Sequence, residues 1–254
     1  MHRPRIIPVL LLQGNTLCKS IRFNRPQYIG DPINAVRLFN DLKADELVFL
    51  DINASKEKRC INTELVLEIS EEANMPFTVG GGITRINEIK ELIASGAERV
   101  LLNNSALNNP EFVRSAVDTF GSSTISVCID VKKKFLGSQQ VYDHVKGKNT
   151  TQDPLEFAQQ MEALGVGEIV VQSVDQDGEM NGYDIALIKK INEALTIPVV
   201  ALGGAGQFTH MKELYAKTKV NALASGSMFI YQGSNRGVLI SYPEREEIQS
   251  LLAM

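Results

Sequence analysis

Two stretches of the sequence are near copies that differ where chemistry would sit. "RIIPVLLLQG", residues 5–14, and "ISVCIDVKKK", residues 125–134, both read as buried strands, and their alignment sets Leu11 against Asp130. A carboxylate at a strand end can move a proton, whereas leucine cannot. Two matched sets of glycines accompany this pair. "GGG" at 80–82 is followed by "LLNNSA" with Asn103, and "GGAG" at 203–206 by "LASGSM" with Gly226. Gly81 to Asn103 and Gly204 to Gly226 are both 22 residues, and Asp51 and Asp175 precede the glycines by 30 and 29. Glycine lets backbone N–H groups approach a phosphate closely, and a helix N-terminus adds a favourable field. Two such sets around one mouth imply two phosphate sites and one ligand phosphorylated at both ends. Tight strand-to-helix turns would by themselves also call for glycine.

These residues need elements to position them. Short runs rich in Val, Ile and Leu fall at about 5–12, 46–52, 76–80, 98–103, 124–131, 167–173, 197–202 and 220–225. They do not alternate with polar residues, as expected of parallel strands covered on both faces. Amphipathic segments lie between them. "DPINAVRLFNDLKAD" opens with Asp31 as N-cap and Pro32 at the first helical position, and "DPLEFAQQMEALGVGE" repeats the plan with Asp153, Pro154 and Gly165. "TRINEIKELIASGAE" sets Ile86, Ile89, Leu92 and Ile93 on one face and ends at Gly96, a helix C-cap signal. Eight strand–helix units predict a single (β/α)8 barrel over residues 1–254, made of two similar half-barrels of about 1–122 and 123–254. An open doubly wound sheet would show the same alternation. The longer connections 13–30 and 132–152 follow the C-terminal ends of strands 1 and 5, and their basic residues suit an anionic ligand.

Bulk properties exclude several function classes. The 254 residues carry a net charge of −4, which argues against nucleic acid as the main partner. No apolar run is long enough to span a bilayer, and "MHRPRIIPVLLL" reads as a first strand instead of a signal peptide. Cys18, Cys60 and Cys128 form no metal-like spacing, so free thiols in a reducing cytoplasm are expected, with no metal and no cofactor. His2, His144 and His210 are far apart in the chain. No histidine stands near any site that the motifs outline, which disfavours a His-activated nucleophile.

At "RIIP", "GDP", "DELVFLDI", "PFTVGGGI", "GAERV", "FGS", "GVGEI", "DQDGEMNGYD" and "GGAG" the chain resembles, in order, the cyclase subunit of imidazole glycerol phosphate synthase, of histidine biosynthesis. The likeness covers about residues 4–230. It implies a barrel mouth that binds a doubly phosphorylated substrate, and a glutaminase docked on the opposite face that sends ammonia through the barrel. It implies two catalytic aspartates, one matching Asp130 and the other falling on Leu11, and a catalytic loop lysine matching Lys19. Phosphate-binding positions carry over to Gly82, Asn103, Asp177, Gly178, Gly204, Gly206, Gly226 and Ser227. A ring of alternating charges at the ammonia entrance carries over to Arg5, Glu46, Arg99 and Glu168, with Glu98 as a candidate partner contact. Gln172, Leu202 and Arg99 stand where that family usually has Thr, Ser and Lys.

Acid–base catalysis supplies a factor of about 10²–10⁴ per group, so Leu11 predicts weak ring closure. The "LLL" strand is similar to that of a divergent subgroup associated with acetamidino modification of surface-polysaccharide sugars. There the barrel passes ammonia to a separate sugar amidotransferase. The segment "GVLISYP", 237–243, also departs from the cyclase's helical tail. The alternatives are an authentic cyclase subunit of histidine biosynthesis and a non-catalytic phosphate-binding scaffold.

Overall fold

A computed structural model describes residues 3–134, 137–233 and 235–251. His2 lies outside them. Eight strands, β1 (Arg5–Gln13), β2 (Leu47–Asp51), β3 (Phe77–Gly80), β4 (Arg99–Leu102), β5 (Ile125–Lys133), β6 (Glu168–Ser173), β7 (Val199–Leu202) and β8 (Ala222–Ser225), pair in parallel. β8 returns to β1 through the register Arg5↔Ala222, which closes a (β/α)8 barrel. The strands fall where the apolar runs predicted them. Closure also makes each strand two-faced. Ile6, Leu10 and Leu12 point outward to the helices, while Ile7 and Val9 point into the lumen. On β5, Val127 and Ile129 face outward and Cys128 faces inward. Both faces are apolar, so the sequence shows no alternation.

Local signals set the helix ends. The Asp31 carboxylate accepts the Asn34 N–H at 2.9 Å, and Asp153 accepts from Leu155 and Glu156, each behind a proline at the first helical turn. Gly96 and Gly165 end their helices at φ +100° and +88°, a conformation that costs glycine little. Among the described residues no helix is long and apolar enough to cross a membrane.

Both long connections fold as hairpins, which the sequence reading did not foresee. Thr16–Ile21 pairs antiparallel with β1 and with Asn24–Gly30, and Gln139–Asp143 pairs antiparallel with β5. The first hairpin turns on Arg22 and Phe23, at φ +49° and +61°. Such turns are usually Asn-Gly, so the strain here is met from outside. The Arg22 N–H donates to the Asp177 carbonyl at 3.0 Å, and its guanidinium pairs with Glu179 at 2.8 Å. The hairpin is thereby clamped over the loop that follows β6.

Among the described residues only short helices follow β8, Ser227–Ile230 and Arg245–Ser250, and the run into the second lies along the barrel wall. Buried Tyr242 anchors this run. Its hydroxyl donates to the Ile6 carbonyl at 2.9 Å and accepts the Asp45 N–H at 3.1 Å, joining the tail to the base of β1. Tyr242→Phe leaves both backbone groups without that partner. It is expected to cost about 1–3 kcal/mol, seen as a lower urea midpoint at unchanged slope.

Candidate active site

Inward-facing residues grade from charged at the barrel base, through apolar, to polar at the mouth. At the base, the Arg5 guanidinium pairs with Glu46 at 2.5 Å and with Glu168. Arg99 reaches Glu46 at 3.5 Å and donates to the Ser123 carbonyl at 3.0 Å, and the Thr78 hydroxyl donates to Glu46 at 3.0 Å. The four residues therefore converge, and each is paired, which a buried charge ring requires. Burial pushes the Glu168 carboxyl up, and Arg5 opposes that shift. Glu98 is exposed, immediately before Arg99 on the same face. Above the ring a void of about 10 Å³ is lined by Ile7, Val48, Val170, Val200 and Ala224. The buried Ser126 hydroxyl on this wall has no hydrogen-bond partner among the described residues. Val9, Leu101 and Leu202 line both this void and a cavity of about 530 Å³ at the mouth.

The mouth cavity is two-sided. Leu11 and Leu50 are adjacent in the β1–β2 register and make that side of the cavity apolar, while Leu101 and Leu202, on β4 and β7, line it where it meets the void below. Strands β1 and β5 are four places apart in the ring of eight, so Asp130 faces Leu11 across the mouth. Asp130 is almost fully buried. Its Oδ1 accepts from the Cys128 thiol at 3.7 Å, and its Oδ2 lies 3.3 Å from His144 Nδ1. Burial raises the Cys128 thiol well above its ordinary value, so it stays a neutral donor. His144, in the turn that follows Gln139–Asp143, therefore does stand at the site. The expectation that no histidine would was wrong, because 14 residues of sequence separate it from Asp130 and the hairpin folds them together. His210 is placed elsewhere and accepts the Gly206 N–H at 3.1 Å.

Lys19 enters the mouth from the first hairpin. Its ammonium donates to the Val9 carbonyl at 2.7 Å, against Gly226, where any Cβ would collide with it. Burial lowers its pKa to about 8, with Asp177 opposing the shift. Asp177 is pushed up to about 6, again chiefly by burial, with Lys19 opposing, and it accepts from the Gln172 amide at 3.2 Å. The other acids near the mouth are engaged. Asp51 accepts the Asn53 and Ala54 N–H groups and pairs with Arg59 at 2.5 Å, and Asp175 accepts the Lys133 N–H at 2.8 Å.

Gly82, Asn103, Asp177, Gly226 and Ser227 line the cavity with Lys19 and Asp130, whereas Gly178, Gly204 and Gly206 do not. The loop after β6 covers the second glycine set. A Cβ at Gly204 would strike the Gly182 carbonyl, and one at Gly206 the Met180 carbonyl. The Arg59 carbonyl occupies the same place at Gly82, so packing by itself requires these glycines. Most of the loop cations expected to meet an anion have partners within the protein: Lys133 pairs with Asp184, Lys146 with Asp143, and Lys132 lies over the Tyr142 ring. Lys56 and Lys58 do line the cavity, and neither has an ion pair among the described residues. Sequence reasoning missed them; their place in the loop after β2, on the mouth side, was the available signal.

A closed parallel barrel with a lysine, a carboxylate and backbone turns around its C-terminal mouth belongs to the class of (β/α)8 barrels, which keep their sites at that face. The chain is a member of the histidine biosynthesis protein family, whose profile matches residues 5–235. It is 41% identical over 244 residues to a Pseudomonas aeruginosa protein named "Putative imidazole glycerol phosphate synthase subunit hisF2", covering 96% of this chain and 97% of that one. A Leptospira borgpetersenii protein, "Putative imidazole glycerol phosphate synthase subunit HisF", is 41% identical over 252 residues, 99% of both chains. The "Imidazole glycerol phosphate synthase subunit HisF" of Lactococcus lactis subsp. cremoris is 40% identical over 232 residues, 91% of this chain and 90% of that one.

The Lys19–Asp177 pair gives stability a pH signature. Asp177 holds its proton to about pH 6 when folded and to about 3.9 when unfolded. The folded state binds the extra proton between those values, so stability falls as pH rises through that window. Lys19 loses its proton near 8 when folded and near about 10.4 when unfolded, so stability rises across that interval. Asp177→Asn should abolish the first slope and Lys19→Met the second, each about 3 kcal/mol in amplitude, read from urea midpoints between pH 4 and 10.

Proposed function

We propose that this chain is the cyclase-like subunit of a glutamine amidotransferase system, taking ammonia at the barrel base and delivering it to the mouth. The ammonia serves acetamidino modification of a surface-polysaccharide sugar, through a separate sugar amidotransferase. The observation that carries this reading is Leu11, which puts an apolar wall across from Asp130 where a two-acid mechanism needs a second proton-transfer group. Continuity of lining from the small void to the mouth supports passage of a neutral molecule of ammonia's size. A phosphorylated ligand would sit near Gly82, Asn103, Gly226 and Ser227, with Lys19 beside it. Reaching Gly178, Gly204 and Gly206 would require the loop after β6 to part from them. The soluble setting is the cytoplasm, and the partner at the base is a glutaminase, in keeping with relatives named as subunits of a synthase.

A second reading is favoured by one observation. His144 at 3.3 Å from Asp130 puts a second acid–base side chain beside that carboxylate, as an authentic cyclase of histidine biosynthesis would need.

Two measurements test these readings. With ammonium salt and the doubly phosphorylated substrate of imidazole glycerol phosphate synthase, ring closure should be at least about 10²-fold slower than in a two-aspartate relative. Leu11→Asp should recover part of it. A rate equal to the two-aspartate enzyme would establish the second reading. For the partner, the glutaminase of the same organism should co-purify with the wild-type chain and be lost on Glu98→Lys; no association would remove the ammonia role.

A further inference from the structure

We propose that His144, oriented by Asp130, is the group that moves protons in this mouth. The inference rests on the cyclase reading above and reverses the roles that the strand ends suggest. Asp130 is the enclosed member of the pair, with 6% of its side chain exposed against 21% for His144. Both of its oxygens are engaged, one by the Cys128 thiol and the other beside His144 Nδ1. A carboxylate so placed holds and polarises an imidazole, while the imidazole remains open to the cavity that it lines.

The turn that carries His144, just past Gln139–Asp143, is fixed on both sides. Oδ1 of buried Asp143 accepts the Val145 N–H at 3.0 Å, the Lys146 N–H at 2.9 Å and the Asn104 amide at 3.2 Å. The Lys146 ammonium closes the turn onto Asp143 at 2.9 Å and onto Asn108 at 3.0 Å. The histidine is thus presented from a braced turn tied to the segment after β4, and reaches the mouth on the side away from Leu11. The other ionisable groups around it are Cys128 on β5, Tyr142 and Asp143 on the hairpin, and Asp177 and Lys19 across the polar side of the mouth.

The step is addition of ammonia to an electrophilic carbon of a phosphorylated ligand. The nitrogen lone pair forms the new N–C bond, and the carbon's π pair moves onto its heteroatom. The nitrogen then carries one proton too many. That proton passes to Nε2 of the neutral imidazole, leaving an imidazolium beside the Asp130 carboxylate. The same imidazolium can return the proton to the heteroatom or to a leaving group on the same side.

The test uses ammonium-dependent turnover of the doubly phosphorylated substrate by the full chain, in the wild type and in Leu11→Asp. His144→Gln should lower kcat at least about 10-fold with KM within about twofold. Asp130→Asn with His144→Gln should be little worse than Asp130→Asn alone, because the two act as a unit. Independently of turnover, 15N NMR of the His144 ring should show the Nδ1–H tautomer in the wild type and lose that preference in Asp130→Asn. Turnover with kcat unchanged in His144→Gln, losses that multiply, or an unchanged tautomer overturns the inference and leaves the cyclase reading standing. Absence of turnover in both the wild type and Leu11→Asp overturns the cyclase reading, and the inference falls with it.

Discussion

Closure of eight parallel strands is the constraint on which the rest of this molecule depends. Once β8 pairs with β1, every second side chain of every strand must face a lumen with no other outlet than its two ends. What stands at each level of that lumen is then decided strand by strand. Residues 5, 7, 9 and 11 of β1 pass from a paired guanidinium through two aliphatic side chains to a leucine at the mouth. The same ladder on β5 passes through Ser126 and Cys128 to Asp130. A single residue type at the top of one strand therefore changes the chemistry of that side of the mouth, because its register neighbour, Leu50, offers no polar group to replace it.

The two ends of the lumen handle buried charge differently. At the base, Arg5 is shared between Glu46 and Glu168, and Thr78 and Arg99 satisfy what remains. Every member has a partner, so the ring is a closed seat for charges that burial would otherwise disfavour. At the mouth, Lys19 and Asp177 are buried together, and burial dominates the shift of each. Their pKa values move toward one another, to about 8 and about 6, which leaves both able to change protonation within a few units of neutrality. The base holds its charges in pairs, whereas the mouth is arranged to exchange protons.

The hairpins after β1 and β5 turn that potential into a site. One delivers Lys19 to Val9 and is clamped by Arg22 onto the loop after β6, and the other delivers His144 to Asp130. Both come from the positions where a barrel of this kind keeps its variable loops. Leu11 leaves β1 without an acid at the mouth, where Lys19 comes in against Val9 and Gly226 and the Asp130–His144 pair stands opposite. An enclosed carboxylate with a more open imidazole beside it is a different instrument from two free carboxylates facing each other.

The sequence by itself determined the barrel and much of its lumen. Apolar runs placed all eight strands, Asp-Pro and glycine marked the helix ends, and position along each strand put Arg5, Glu46, Arg99 and Glu168 at one end and Leu11 and Asp130 at the other. These properties are local or follow from strand register, so neighbours in sequence suffice to specify them. Only the tertiary structure decided that a turn built on Arg22 and Phe23 would hold, since its strain is relieved by Asp177 and Glu179, more than 150 residues away. Only it brought His144 to Asp130, seated Lys19 against Gly226, and laid Gly182 and Met180 over the second glycine turn. Each of these depends on where a loop comes to rest against side chains from another strand. Loop conformation is set by such distant contacts, and periodicity along the chain carries no record of them.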